Sequence, residues 1–122
     1  MKIEMTPAAA RQAELIADLA VIETGFLLGS TFGKYIIIEL LFPVNFNEKN
    51  IDEIYEKMTG WGGEKLLGVF FNNRDPFPND LFLEDVIIKI NPTYRQPEFY
   101  IYDIDENFVP LSLNDEKQTE AL

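Results

Sequence analysis

No histidine and no cysteine occurs among the 122 residues of this chain. Cysteines form disulfides, and the two residue types together supply nearly all zinc ligands in proteins. A fold built from this sequence must therefore be held together by its apolar core. With 47% hydrophobic residues, the chain is long enough to bury such a core in a single domain without metals or disulfides.

The same absence limits the chemistry that the chain can perform. Histidine and cysteine provide most general bases near neutral pH and most activated nucleophiles. Ser/His/Asp and Cys/His catalysis and ordinary zinc sites are excluded, and carboxylates, lysines, tyrosines and hydroxyls remain. We therefore predict no catalytic residue, no metal ligand and no cofactor from the sequence.

The formal net charge of −11 bears on the partners of the chain. Acidic surfaces are repelled by nucleic-acid phosphates and by anionic membranes. No apolar run reaches the roughly 18 residues of a membrane span, and the N-terminus lacks a signal-peptide pattern. We expect a cytoplasmic protein that binds a protein partner or a second copy of itself, and neither nucleic acid nor membrane.

Two segments have the pattern of amphipathic helices. Thr6 followed by Pro7 reads as an N-cap and first position, and predicts a helix over residues 7–20. Asn50, with a glutamate three residues later, resembles a capping box, and Gly60 is placed to end the second helix. The face of the first helix that we expect to pack on a sheet carries Ala9, Ala13, Ile16 and Ala20.

Apolar runs bounded by glycine, proline or asparagine predict about six strands, at residues 25–29, 34–42, 65–71, 85–90, 98–104 and 108–113. Residues 30–33 are the expected turn between the first two strands. The second strand is apolar on both faces, which is typical of the middle of a covered sheet. We predict an α+β fold: a single domain over residues 1–113, with a mixed curved sheet flanked by two helices. The polar tail, residues 114–122, is expected to be disordered.

Three segments resemble, in order, the JAB/MPN domain of the JAMM metalloprotease superfamily. Residues 23–29 (ETGFLLG) are similar to the family's glutamate and Gly-Leu-Leu-x-Gly strand, which follows an opening helix. Residues 66–70 (LLGVF) are similar to its Val-Val-Gly-Trp-Tyr strand, and residues 87–92 (IIKINP) to its Val-Val-Val-Asp-Pro strand and turn. Another strand follows in both. The resemblance covers about residues 8–113 and implies a JAB/MPN-like fold.

The metal site of that family is changed at every element. The family binds zinc through two histidines and an aspartate, with a glutamate as general base and a supporting serine. Its histidine positions fall on Phe71 and Asn73, and the motif proline falls on Arg74. The glutamate position falls on Ile22, and Glu23 is one residue late, which reverses the face of a strand residue. Too few residues follow for the helix that carries the serine and aspartate. These vestigial-site positions imply a relative without catalytic activity.

The leading hypothesis is therefore a catalytically inactive JAB/MPN-like domain that acts as a protein-interaction or scaffold module. Inactive members of the superfamily serve as scaffolds that pair with a second subunit, so this role is implied by the resemblance. The aromatic residues that we assign to a possible interaction surface are Trp61, Phe77 and Phe82.

Two alternatives remain open. The first is a metal-dependent hydrolase, similar to a peptidase or isopeptidase, that uses carboxylate ligands only. The acidic residues that would hold a hard cation are Asp75, Asp80, Glu84 and Asp85, although their spacing matches no calcium loop and also fits a solvated loop. The second is a small-ligand binding module with an apolar cleft. The aromatic residues near the vestigial site that would line it, or would simply fill it as core, are Phe70, Phe71, Phe77 and Phe82.

Overall fold

One mixed β-sheet and two α-helices form the described part of the chain, which in this computed structural model comprises residues 2–60, 65–75, 86–91, 96–102 and 108–111. The elements follow one another as β1 (Lys2–Met5), α1 (Pro7–Asp18), β2 (Thr24–Phe32), β3 (Tyr35–Pro43), α2 (Ile51–Thr59), β4 (Lys65–Asn72), β5 (Val86–Asn91), β6 (Gln96–Tyr102) and β7 (Phe108–Leu111). The predicted α+β class is confirmed.

The seven described strands lie in the order β1-β3-β2-β4-β5-β6-β7. The pairs β1–β3 and β4–β5 are parallel, and the other four pairs are antiparallel. Strand β1 was not predicted, because four residues are too short to show a period. β3 has a strand on each side, as its two apolar faces predicted.

Helix α1 begins as predicted and ends earlier. The Thr6 side-chain oxygen accepts a hydrogen bond from the Ala9 amide at 3.1 Å, so the predicted N-cap is confirmed. The helix ends at Asp18, because Leu19 already has extended backbone angles. The prediction that Ala20 belongs to the buried face is wrong, since Ala20 lies beyond the helix and is exposed. The residues of α1 that are buried are Ala9, Ala13, Ile16 and Ala17.

Helix α2 ends at the predicted cap, Gly60, but the predicted capping box is wrong. The side chain of Asn50 makes no capping hydrogen bond. Its oxygen instead accepts from the Asn47 amide at 2.7 Å, and the Asn47 carbonyl accepts from the Ile51 amide at 3.0 Å. A local turn of asparagines therefore competes with the cap for the same side chain.

The hairpin between β2 and β3 is tighter than predicted. Phe32 and Tyr35 are paired, so the loop is only Gly33 and Lys34 rather than residues 30–33. Gly33 has a φ of 55°, which glycine adopts at little cost at the first central position of a two-residue turn.

Both neighbours of β2 bulge at the level of Leu28. In β3 the extra residue is Glu39, because Leu28 pairs with Leu40 and Gly29 with Ile38. In β4 the register shifts in the same way around Leu67. Bulges bend strands and increase their twist, so the sheet is curved at its centre.

The sheet separates two apolar clusters. The cluster on the α1 face contains residues from both helix and sheet: Ile3, Ala9, Ala13, Ile16, Ala17, Leu27, Ile36, Ile38, Leu41, Leu67, Phe70, Val86, Ile88 and Ile90. The cluster on the α2 face contains Phe26, Leu28, Phe46, Ile51, Met58, Val69, Phe71 and Ile87. Among the described residues, neither helix is long and apolar enough to cross a membrane. The expected tail, residues 114–122, lies outside the described residues.

Candidate functional site

The vestigial-site positions meet at one end of the sheet. β2 begins at Thr24 and β4 ends at Asn72, and the antiparallel pairing sets Thr24 opposite Phe71. The backbone N–H of Asn72 donates to the backbone carbonyl of Glu23 at 2.8 Å. The structure thus brings the segment before β2 next to the segment after β4, and the predicted positions that gather there are Ile22, Glu23, Phe71, Asn73 and Arg74.

Phe71 is a core residue of the α2 face. Its side chain has no exposed surface, and its ring packs edge-on against Phe46 at a centroid distance of 5.8 Å. Phe46 in turn contacts Phe26 at 5.3 Å. An aromatic ring offers no lone pair to a metal, so this position contributes packing and no ligand. Phe70 is also fully buried, but on the α1 face, so Phe70 and Phe71 do not line one common cleft.

Charged side chains at this end form two ion pairs. Nη1 of Arg74 lies 3.6 Å from Oε1 of Glu23. The Arg74 side chain is 37% exposed and the Glu23 side chain is 59% exposed. Lys89 lies 3.6 Å from a carboxylate oxygen of Asp75. Each of the two acidic groups therefore has a basic side chain nearby, but both pairs are exposed to solvent and are weak.

The remaining acidic residues of the predicted cluster, Asp80, Glu84 and Asp85, lie outside the described residues, as do the three predicted interaction residues, Trp61, Phe77 and Phe82. Within the part of the chain that is described, no group of three or more acidic residues is close enough to hold a metal ion.

Asn73 has a φ of 56° and is exposed. Asparagine tolerates this left-handed conformation better than most residues. The chain therefore turns directly after β4, and Arg74 is brought back beside Glu23. The second histidine position of the family is thus a turn residue here.

Asn72 is the main polar group of this site, and its role was not predicted. Its side chain is 2% exposed, and its Nδ2 donates to the carbonyls of Ile16 and Ile22 at 2.7 Å each and of Leu19 at 3.3 Å. Its Oδ1 is buried without a hydrogen-bond partner. The side-chain amide of Asn72 therefore connects the C-terminal end of α1, and the chain after it, to the end of β4. The sequence gives no signal of this role beyond a polar residue that ends an apolar strand.

Thr24 performs a similar task on its own strand. Its hydroxyl donates to the Val44 carbonyl and accepts from the Phe46 amide at 3.0 Å. The hydroxyl is buried, so these bonds also satisfy its hydrogen-bonding capacity. The segment that leads from β3 to α2 is thereby held against the start of β2.

A second surface with apolar character lies on the outer side of α1. Leu15 is 63% exposed and Leu19, one turn further along, is 46% exposed. A shallow depression here is lined by Arg11, Glu14, Leu15 and Asp18. Exposed apolar side chains that lie close together are a common feature of surfaces that contact other proteins.

No family model matches the chain, and no curated protein matches it. Among solved structures, the chain is similar to the solution structure of protein DSY2949 from Desulfitobacterium hafniense, with a TM-score of 0.60 and 15% identity. That match covers 91% of this chain and 90% of the other. At this identity the similarity is one of fold alone.

Proposed function

We propose that this chain is a catalytically inactive JAB/MPN-like domain that acts through contact with other proteins. The observation that carries the proposal is the fate of the vestigial-site positions. Phe71 is part of the core, Asn73 forms a turn, and the carboxylate of Glu23 is paired with Arg74. Phe71 has no lone pair for a metal and an amide oxygen such as that of Asn73 is a poor zinc ligand, so Glu23 alone does not supply the three protein ligands of an open zinc site.

The order of elements supports the family resemblance. The segments that resemble the family fall in strands in the expected sequence: the first in β2 after helix α1, the second in β4, and the third in β5, with β6 next along the chain. The similarity of each segment is short, so their order along one sheet is the stronger support.

The surface supports an interaction role. Leu15 and Leu19 expose apolar side chains one turn apart on α1, and Phe32 is 69% exposed at the hairpin tip. Burying such side chains against a partner is favourable by about 25 cal/mol for each Å² of apolar surface removed from water.

Metal binding tests the inactive assignment. The purified chain is dialysed against zinc and, separately, against manganese, and the bound metal is measured by elemental analysis. We expect far less than one ion per chain for either metal, because the described residues contain no site with three suitable ligands. One bound ion per chain that is lost in Glu23→Gln would overturn the proposal in favour of a metal-dependent hydrolase.

Cross-linking in the native cell tests the interaction role. After treatment with an amine-reactive reagent, mass spectrometry identifies the polypeptides joined to the exposed Lys34 and Lys49. We expect reproducible cross-links to another polypeptide or to a second copy of this chain. Intramolecular cross-links alone would refute a function in protein contact.

A further inference from the structure

The outer face of α1 carries a short pattern of basic, apolar and acidic side chains. The residues that α1 buries against the sheet are Ala9, Ala13, Ile16 and Ala17. At 3.6 residues per turn, Arg11, Leu15 and Asp18 fall on the opposite side of the helix. All three are exposed, and Leu15 lies between the two charges.

This pattern is complementary to itself when the helix is reversed. Arg11 and Asp18 are separated by seven residues, which is about 10.5 Å along the helix axis. If a second α1 lies antiparallel across the first, Arg11 of each helix faces Asp18 of the other. The two Leu15 side chains then meet near the two-fold axis. The two Glu14 carboxylates also come close together beside the axis, and each lies one helical turn from Arg11 of its own helix. Self-complementary patches of this kind generate closed dimers.

We propose that α1 of one copy packs antiparallel against α1 of a second copy, with two reciprocal Arg11–Asp18 ion pairs around Leu15. This inference rests on the proposed function, since it names the partner that an interaction module of this kind would bind. Leu19, which is 46% exposed, lies beside the stripe and adds apolar area at each end of the contact.

The charge pattern favours a second copy over an unrelated partner. An unrelated helix would have to present an acidic, an apolar and a basic residue in the same spacing, which α1 itself already does. A carboxylate can accept more than one hydrogen bond, so Asp18 can bind the partner's arginine alongside its other contacts. The net charge of −11 repels two copies at low ionic strength, but this repulsion is screened beyond about 8 Å at physiological salt.

Sedimentation velocity over a concentration series at physiological salt tests the proposal. A contact between two helices is small, so we expect a reversible dimer with a dissociation constant in the micromolar range. Arg11→Glu places two acidic pairs in the contact, and Asp18→Arg places two basic pairs there. Each single variant should dimerise about tenfold more weakly than the native chain.

Mixing the two variants gives the decisive result. In a mixed dimer of Arg11→Glu with Asp18→Arg, both facing pairs are again of opposite sign, so the equimolar mixture should dimerise more strongly than either variant alone. The double variant R11E/D18R should also dimerise with itself. Lys34→Glu and Glu48→Arg make the same charge changes at exposed positions outside α1, and they should leave dimerisation unchanged.

The outcomes separate the two proposals. A native chain that stays monomeric over the series, or a mixture that dimerises no more strongly than either variant alone, would refute the α1 contact. If such a monomer still cross-links to another polypeptide in its cell, the proposed function stands without this contact. A stoichiometric metal ion lost in Glu23→Gln would refute the proposed function whatever the oligomeric state. Should one single variant fail to fold, the native chain and the other single variant still decide the question, because the first must dimerise and the second must dimerise more weakly.

Discussion

The Asn72 side chain joins two parts of the chain that are about 50 residues apart, and its removal should weaken the whole fold. In Asn72→Ala, the carbonyl of Ile22 loses its 2.7 Å donor. The carbonyls of Ile16 and Leu19 also lose their bonds to this side chain, although each keeps a backbone donor at 3.0 and 3.2 Å. Because the side-chain amide has two N–H groups for its three acceptors, the cost is that of one orphaned carbonyl and one further lost bond.

A buried polar group left unsatisfied costs about 1–3 kcal/mol, and a hydrogen bond replaced by weaker alternatives costs about 1 kcal/mol. Removing the side chain also removes the buried Oδ1 that has no partner, which offsets about 1 kcal/mol of this loss. We therefore expect Asn72→Ala to lower the free energy of unfolding by about 2 kcal/mol. With a urea dependence of about 2 kcal/mol per molar, the unfolding midpoint falls by about 1 M. Urea titration followed by far-ultraviolet circular dichroism measures this shift.

Asn72→Asp keeps the shape of the side chain but replaces the two N–H donors of the amide with a carboxyl group. The new carboxyl would face three carbonyl oxygens, so its ionised form is repelled, and its neutral form has one proton to donate. Its pKa in the folded chain should therefore rise above the ordinary value of about 3.9. A group with a raised folded pKa favours folding below its unfolded pKa, and this contribution is lost as pH rises through the folded pKa.

We therefore expect Asn72→Asp to lose stability as pH rises above about 4, relative to a control that changes the same residue type. Asn73→Asp is that control, because Asn73 is adjacent and exposed and aspartate also tolerates its left-handed backbone. If the free energy of unfolding of Asn72→Ala lies within about 0.5 kcal/mol of the native value, the stabilising role of the Asn72 side chain is refuted, since ordinary surface changes stay within that range. The same role is refuted if the stability of Asn72→Asp depends on pH in the same way as the stability of Asn73→Asp.

Two further predictions concern residues near the same end of the sheet and in the hairpin. Gly25→Ala should lower the free energy of unfolding by about 3 kcal/mol, because the added methyl group would overlap the Phe70 ring. Gly33→Ala has nothing near its added methyl group, so it should lower the free energy of unfolding by only about 1 kcal/mol, the cost of an alanine in the left-handed conformation. Equal urea midpoints for the two variants would contradict this reasoning. Glu23→Gln should change stability by less than about 1 kcal/mol, because its ion pair with Arg74 is exposed, and it should leave cross-linking to partners intact. Thermal unfolding and native-cell cross-linking check the two parts, and loss of either would assign Glu23 a larger role.

Most elements of the fold could be predicted from local patterns. The helix period and the N-cap at Thr6 located α1, and the apolar runs located six of the seven described strands. The errors arose where local chemistry had competing uses. Asn50 bonds within a turn instead of capping α2. Strand β2 continues to Phe32, past the start of the expected turn, because the loop consists only of Gly33 and Lys34.

The candidate site was only partly predictable. The meeting of Glu23 with the segment after β4 follows from the antiparallel pairing of β2 and β4, and the family resemblance implied it. The role of Asn72 could not be predicted, because its three acceptors belong to the end of α1 and the chain after it, and no periodicity links those segments. Long-range contacts of single polar side chains are invisible to patterns that repeat every two or four residues.

The bulge at Glu39 also determines where this chain can change in length. Ile38 and Leu41 contribute to the α1 face, and Leu40 packs against the α2 face, while Glu39 between them is exposed. Deleting Glu39 would give a regular strand in which all three neighbours keep their present faces. Deleting a residue elsewhere in β3 would turn part of the strand over, because strand side chains alternate. In an alignment of proteins with this fold, a one-residue gap in β3 should therefore fall at position 39.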